Sequence, residues 1–260
     1  MAVKEGKRGQ LTIFIILAIL IIALALLIYF LYPKLKGGGS TETDNPYSYI
    51  QTCMKEKIEN TIETVSLQGG NYLADAEGGF YFYRGEYVRF LCYSNEDFQP
   101  CINQEPFLTE HIESEILNGI NSEAENCFNS LAGNYEKRGY EVDLKKGNTE
   151  IQILPDRIST QFNYELNLIK GSETQNYKNF EIKLNSNLYN ILEVVKNIII
   201  WEINVGDSIP EAYMNDNPYL KVEKKRKENE IKLYILTDRN TGEVFRFASR
   251  SFAAPIGFSS

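Results

Sequence analysis

Histidine and tryptophan occur once each in 260 residues, and methionine only three times. A single imidazole is a poor basis for a zinc, haem or non-haem iron centre, since these usually recruit several. It also limits the chain to one His-based triad. No Gly-x-Gly-x-x-Gly and no Gly-Lys-Ser/Thr occurs, so Gly69-Gly70 and Gly78-Gly79 read as helix-stop and turn glycines rather than a phosphate cradle. Neither Gly-x-Ser-x-Gly nor Ser-x-x-Lys surrounds any serine, which removes the usual serine-hydrolase signatures. Asn-x-Ser/Thr is missing despite many asparagines. Positive charge is scarce as well. Setting aside Lys4, Glu5, Lys7 and Arg8 leaves 24 basic and 34 acidic residues, a balance of −10. A nucleic-acid partner calls for the reverse.

Hydrophobicity, in contrast, is concentrated. Leu11–Leu31 holds 21 residues without a charge, with Thr12 its one polar side chain. As a helix this run extends roughly 31 Å, the thickness of a hydrocarbon core. Tyr29, Phe30 and Tyr32 stand where an aromatic belt would lie, and Pro33 ends the helix. A cleaved secretory signal would be shorter and would close on small residues, whereas this run closes on Tyr-Phe-Leu-Tyr-Pro. Three positive residues precede the run, and Lys34 and Lys36 follow it, which favours a cytoplasmic N-terminus. The expected organisation is a basic cytoplasmic segment at 1–10, a transmembrane helix at 11–32 held in membrane lipid, a flexible tether at 33–45 containing Gly37-Gly38-Gly39-Ser40, and an extracytoplasmic domain at 46–260.

Within that domain the apolar spacing predicts three helices. The first spans Pro46–Leu67 on Ile50, Met54, Ile58, Ile62 and Val65; the second runs from about Pro106 to Gly133; the third covers roughly 187–204. Between them lie β-prone runs: Phe80–Tyr83 against Tyr87–Cys92, an extended stretch over 139–184, and a closing hairpin of Lys232–Thr237 with Glu243–Ser249. Helices alternating with hairpins indicate an α+β fold with an antiparallel sheet.

The four cysteines, at 53, 92, 101 and 127, lack the Cys-x-x-Cys spacing of a zinc or redox site. Three pairings are open, with four buried free thiols as the alternative. Cys92 and Cys101 flank a polar loop, which makes a local bridge easy. Cys53 and Cys127 lie on or beside inward helix stripes and are the expected second pair. Each bridge would contribute about 3–4 kcal/mol in the chain-entropy picture and favours an oxidising exterior.

Several residues invite a chemical reading. His111 could act as a base only if the fold supplied a nucleophile and an orienting acid; a surface helix position is the plainer account. Glu105, Glu110, Glu113, Glu115, Glu123 and Glu125 fit no calcium loop and read as a solvated helix face. Lys221, Lys224, Lys225, Arg226 and Lys227 suit anionic headgroups, an acidic partner or a protected edge strand. Tyr81, Tyr83 and Tyr87 are candidate binding aromatics on an exposed hairpin. No residue is a candidate cofactor or metal ligand.

Lys7-Arg8-Gly9-Gln10-Leu11-Thr12, leading straight into the apolar run, resembles the class III signal of archaeal type IV pilins and related surface proteins. The resemblance implies cleavage between Gly9 and Gln10, with the apolar helix retained in a membrane or a filament core. Phe14 stands where those pilins carry Glu, which favours an anchor over a filament subunit. Gln68-Gly69-Gly70-Asn71-Tyr72 and Phe247-Ala248-Ser249-Arg250-Ser251 before Pro255-Ile256-Gly257 are similar to segments of membrane proteins of small-genome archaea, a resemblance that implies no activity. The expectation is a non-enzymatic, membrane-anchored cell-surface protein serving adhesion or envelope assembly. An anchored extracytoplasmic hydrolase and a pilin-like filament subunit are the alternatives.

Overall fold

The computed structural model describes residues 20–22, 45–74 and 79–252. Gly9, Gln10, residues 33–44 of the tether expected at 33–45, and all of the expected spanning helix except Leu20–Ile22 lie outside them. Those three residues are helical and exposed. No described helix is long and apolar enough to cross a membrane. The chain divides into two units, Met1–Asn45 and Pro46–Ser260, and the second carries the fold described below.

Helix α1 (Pro46–Leu67) opens on a proline, whose missing N–H costs nothing in a first turn. Ile50, Met54, Ile58, Thr61 and Val65 recur at three- and four-residue spacing and are buried. The helix closes through Gly70 N–H donating to the Val65 carbonyl, 2.8 Å, with Gly69 at φ 76°. A Cβ on Gly69 would come within 3.0 Å of the Arg89 backbone, so only glycine lets the helix end meet the next strand so closely. That strand, β2 (Glu86–Tyr93), forms a hairpin with β1 (Phe80–Tyr83). The short β3 (Ile102–Asn103) returns against β2.

Helix α2 (Leu108–Lys137) runs four residues past the expected stop at Gly133. Its stripe continues there to Tyr135, which packs edge-on against Tyr140, and the added contact outweighs the glycine's low propensity. Strands β4 (Glu141–Lys145), β5 (Thr149–Leu154), β6 (Arg157–Lys170) and β7 (Glu173–Asn185) form a four-stranded antiparallel sheet. Strands β4 and β5 pair with successive halves of β6 and are interrupted together at residues 146–148. There Gly147 crosses the carbonyl of Asn163, where a Cβ would lie 1.7 Å from the oxygen. The register of β6 against β7 shifts over the same stretch, between Phe162 and Glu165. Phe128 of α2 seals this sheet, stacked on Tyr164 at 4.1 Å and edge-on to Phe162 and Phe180.

Helix α3 (Leu188–Asn204) and the short α4 (Pro210–Asp216) precede β8 (Leu220–Arg226), β9 (Ile231–Asp238) and β10 (Val244–Arg250). These strands join the first hairpin in a sheet ordered β1-β2-β10-β9-β8, with β3 on β2. Strand β10 is antiparallel to β9 but parallel to β2. The expected all-antiparallel sheet is therefore corrected to two sheets, one of them mixed, and the three expected helices become four in this unit. The parallel pair escapes a sequence reading because β2 and β10 are far apart in the chain. The central β10 is flanked by β2 and β9, which run in opposite directions, and it pairs with both. Helix α4 is missed because none of its residues is buried, so it has no apolar stripe. The basic run at 221–227 is an edge strand, with Leu220 and Val222 turned inward.

The structure joins Cys53 to Cys127 and Cys92 to Cys101, with Cα atoms 6.1 and 5.3 Å apart. The first bridge ties α1 to α2, and the second closes the loop between β2 and β3. Helix α2 packs on β4 and β5, α3 on β2, β3 and β10, while α1 reaches β7 and β10, so the helices link the two sheets. Replacing Cys53 and Cys127 together by alanine is expected to lower the unfolding free energy by about 4 kcal/mol, read by urea denaturation. The paired change at Cys92 and Cys101, which close a much shorter loop, should cost about 2.5 kcal/mol.

Candidate functional site

A groove of about 690 Å³ lies where α1, the end of β7 and the β9–β10 turn meet. One stripe of α1 forms a wall, from Gln51 through Lys55, Glu59 and Ile62 to Ser66. Ile182, Leu184, Leu188, Ile191 and Val244 give it an apolar floor. The size and the apolar floor with a polar rim match a ligand-binding cleft. Its far end is held rigidly. The Glu243 carboxylate accepts from Ser186 Oγ at 2.5 Å, from the Asn187 backbone N–H at 2.7 Å and from Thr241 Oγ1 at 2.9 Å, which anchors the start of α3 to the turn. Asp238 accepts from the backbone N–H groups of Asn240 and Thr241 and from the Asn187 side chain. Burial pushes the Asp238 carboxyl up, but these donors outweigh it and hold it below the ordinary aspartate value. Arg246, which lines the groove, pairs with Glu86 at 2.6 Å. Ser186 spends its proton on Glu243 and accepts from the Leu188 N–H, which makes it a capping hydroxyl rather than a nucleophile.

His111 lies elsewhere, half-buried where α1 ends against β2 and α2. Its Nε2 is 3.3 Å from Asn71 Oδ1 and its Nδ1 is 3.7 Å from Glu105, which in turn pairs with Arg89 at 2.9 Å. No described hydroxyl or thiol joins this set, so it is an acid, a base and a guanidinium without a nucleophile. The helix acids are less solvated than their spacing suggests. Glu113 accepts from the edge N–H of Ile153 at 2.8 Å, and burial raises its pKa. Glu115 accepts from the Tyr72 N–H at 2.7 Å, and Glu125 pairs with Lys146. Glu123 comes close to Cys53 and Cys127, whose sulfurs are committed to each other.

The hairpin aromatics divide by strand alternation. Tyr81 and Tyr83 turn inward to a small core with Val88, Leu233 and Ile235, and Tyr83 is buried. Lys225 donates to the Tyr83 hydroxyl at 3.1 Å, and this bond draws its pKa below the usual tyrosine value. Tyr87 faces the other way beside the exposed Phe82, ring to ring at 5.2 Å. Phe82, not singled out from the sequence, is thus the most exposed ring of the hairpin.

A second feature was invisible to motif reading. The Glu202 side chain on α3 is fully buried, at 0% exposure, and so is Tyr234 on β9. Glu202 Oε1 accepts from the Tyr234 hydroxyl at 2.5 Å and the Ser208 N–H at 3.1 Å, and Oε2 accepts from Lys232 Nζ at 2.7 Å and Ser249 Oγ at 2.9 Å. Lys232 also donates to the Gly206 carbonyl. Ser251 Oγ donates to the Glu202 carbonyl and accepts from the Cys101 N–H, which carries the network into the small disulfide loop. Burial, with the Glu202 charge, raises the Tyr234 pKa far above its ordinary range. At its outer edge, Asp207 binds Lys224 at 2.8 Å and Arg226 at 2.5 Å. Burial works against ionising Asp207, yet the hydrogen bond from Lys224 and the charges of Lys224, Arg226 and Lys232 leave its pKa lowered. One clue was present in the sequence: Glu202 falls on the inward stripe of Leu188, Leu192, Val195 and Ile199, where an acid demands a partner. Each Glu202 oxygen accepts from two donors, so the cluster is a structural lock.

Comparison with known protein-family models, with curated proteins and with solved structures finds no match.

Lys232→Met is expected to destabilise the fold by about 3–5 kcal/mol, because it leaves a buried carboxylate unpaired. Adding Glu202→Gln should recover part of that loss, measured by urea midpoints of the three proteins. Asp207 and Asp238 set an acid limit. A lowered folded pKa contributes stability that is complete above the unfolded value, about 3.9, and is lost as pH falls through the folded one. Unfolding free energy should therefore drop on acidification below about pH 4, and the drop should flatten in Asp207→Asn and Asp238→Asn.

Proposed function

We propose that the chain is a membrane-anchored cell-surface protein, held by residues 11–32, whose outer unit acts as a non-enzymatic module for adhesion or envelope assembly. The observation that carries this reading is the pair of disulfides, Cys53–Cys127 and Cys92–Cys101, following an uncharged run of membrane length. Disulfides persist in oxidising exteriors, so the two features favour the same side of the membrane. The groove beside α1 supplies the binding surface, with an apolar floor and charges of both signs at its rim.

The groove is a place to hold a partner rather than to cut one. Its carboxylate at 243 is saturated by donors, and the Ser186 hydroxyl is one of them, held as a cap on the start of α3. The anchored-hydrolase alternative is correspondingly weaker, since His111 gathers Asn71 and Glu105 but no nucleophile. A pilin-like subunit remains the second reading, on the strength of Lys7–Thr12 alone.

Membranes from cells making the full chain should retain it through alkaline carbonate washing. Protease added to intact cells should digest the outer unit, and all four cysteines should resist alkylation without reductant. Release by carbonate, or ready alkylation of the four thiols, would overturn the anchored exterior reading. Intact mass separates a chain cut after Gly9 from an uncut anchor, and filaments in negative stain would mark a pilin-like subunit.

A further inference from the structure

Because Glu202 points into the lock, its neighbours on α3 point out. Ile200 and Trp201 are 52% and 49% exposed, and Val205, one turn on, is 47% exposed. Ile209, before α4, is 62% exposed. Four large, exposed apolar side chains thus fall within ten residues of the chain at the end of α3. The domain's one basic run lies against this corner. The Asp207 carboxylate, between Val205 and Ile209, is paired with Arg226 and Lys224 of β8. Arg226 and Lys227 then border a basin of about 230 Å³ that also meets Asp207, Glu230 and Lys232.

We infer that this corner docks onto the surface of the bilayer that carries the anchor, with Trp201 and the three aliphatic residues entering the interface and Arg226 and Lys227 meeting anionic headgroups. The inference rests on the anchored reading proposed above. Trp prefers the headgroup level of a membrane, and exposed apolar residues flanked by Lys and Arg mark a surface that lies on lipid. The remainder of the unit is strongly acidic, so an anionic surface repels its other faces and orients this one inward. A tether over 33–45 reaches at most about 45 Å, which keeps the unit at a millimolar effective concentration near the bilayer. Under that condition a patch too weak to recruit a free protein is enough to set orientation.

Trp201 is the only tryptophan of the chain, so its emission reports on this corner alone. The full chain is reconstituted in vesicles of phosphatidylcholine alone and of phosphatidylcholine with phosphatidylglycerol, each with and without brominated acyl chains. Docking predicts a blue shift and bromine quenching in the anionic vesicles, both reduced by high salt. Lys227→Gln should lower the docked-to-free ratio about fivefold, the worth of one basic residue near such a surface. Ile209→Asp should abolish the shift while circular dichroism and the disulfide map stay unchanged. Vesicles that carry the chain on flotation but leave Trp201 unquenched would overturn the docking and spare the anchor. A chain that fails to float with either vesicle would overturn both. A blue shift that follows protein concentration and ignores lipid would assign the corner to a second copy and also overturn the proposal.

Discussion

A carboxylate without water has to find its donors in the protein, and Glu202 finds four. Tyr234, the Ser208 N–H, Lys232 and Ser249 converge on it from β9, β10 and the loop after α3. Bringing Glu202 and Lys232 together inside a fold carries a large desolvation cost, offset only when nearly every donor and acceptor is used. Geometry is therefore held tightly here. The end of α3 can neither rotate nor slide without stranding a charge, and the strands that supply its donors must keep their register. The network continues through Ser251 to Cys101, so the Cys92–Cys101 loop is set by the same constraint.

The outward consequences follow from helix geometry. With Glu202 fixed inward, Ile200, Trp201 and Val205 are presented to solvent, and Asp207 is placed to gather Lys224 and Arg226. One buried pair thereby creates both a rigid core and an apolar corner edged by positive charge. At the opposite end of α3 a second carboxylate, Glu243, holds the first turn to the β9–β10 hairpin. That contact keeps the groove beside α1 open at fixed width. The Cys53–Cys127 bridge secures its other wall by tying α1 to α2. Both candidate interaction surfaces are thus set by acids at the two ends of one helix.

Much of this was legible in the residue order. The stripe of Ile50, Met54, Ile58 and Val65 marks α1 to the residue, since helical spacing and a Gly-Gly stop are local signals. Both hairpins, β1–β2 and β9–β10, follow from alternation across short turns. The disulfide partners could be reasoned out because Cys53 and Cys127 accompany inward stripes and Cys92 and Cys101 are near neighbours. The parallel contact of β2 with β10 could not, because nothing in either strand specifies which distant edge it will meet. Nor could the split among the hairpin aromatics, since Tyr81, Phe82, Tyr83 and Tyr87 look alike until one face of the sheet is covered.

By itself, then, the sequence determined where apolar periodicity and turn chemistry act over a few residues: α1, α2 and α3, the hairpins, the uncharged run at 11–31 and the α+β class. The tertiary structure alone decided which side chains lose their water. Glu202 meets its partners only when Lys232 and Tyr234 arrive from a strand some thirty residues away, and with Glu202 turned inward Trp201 is left exposed. Burial is a property of elements meeting, and their meeting is encoded in no single segment.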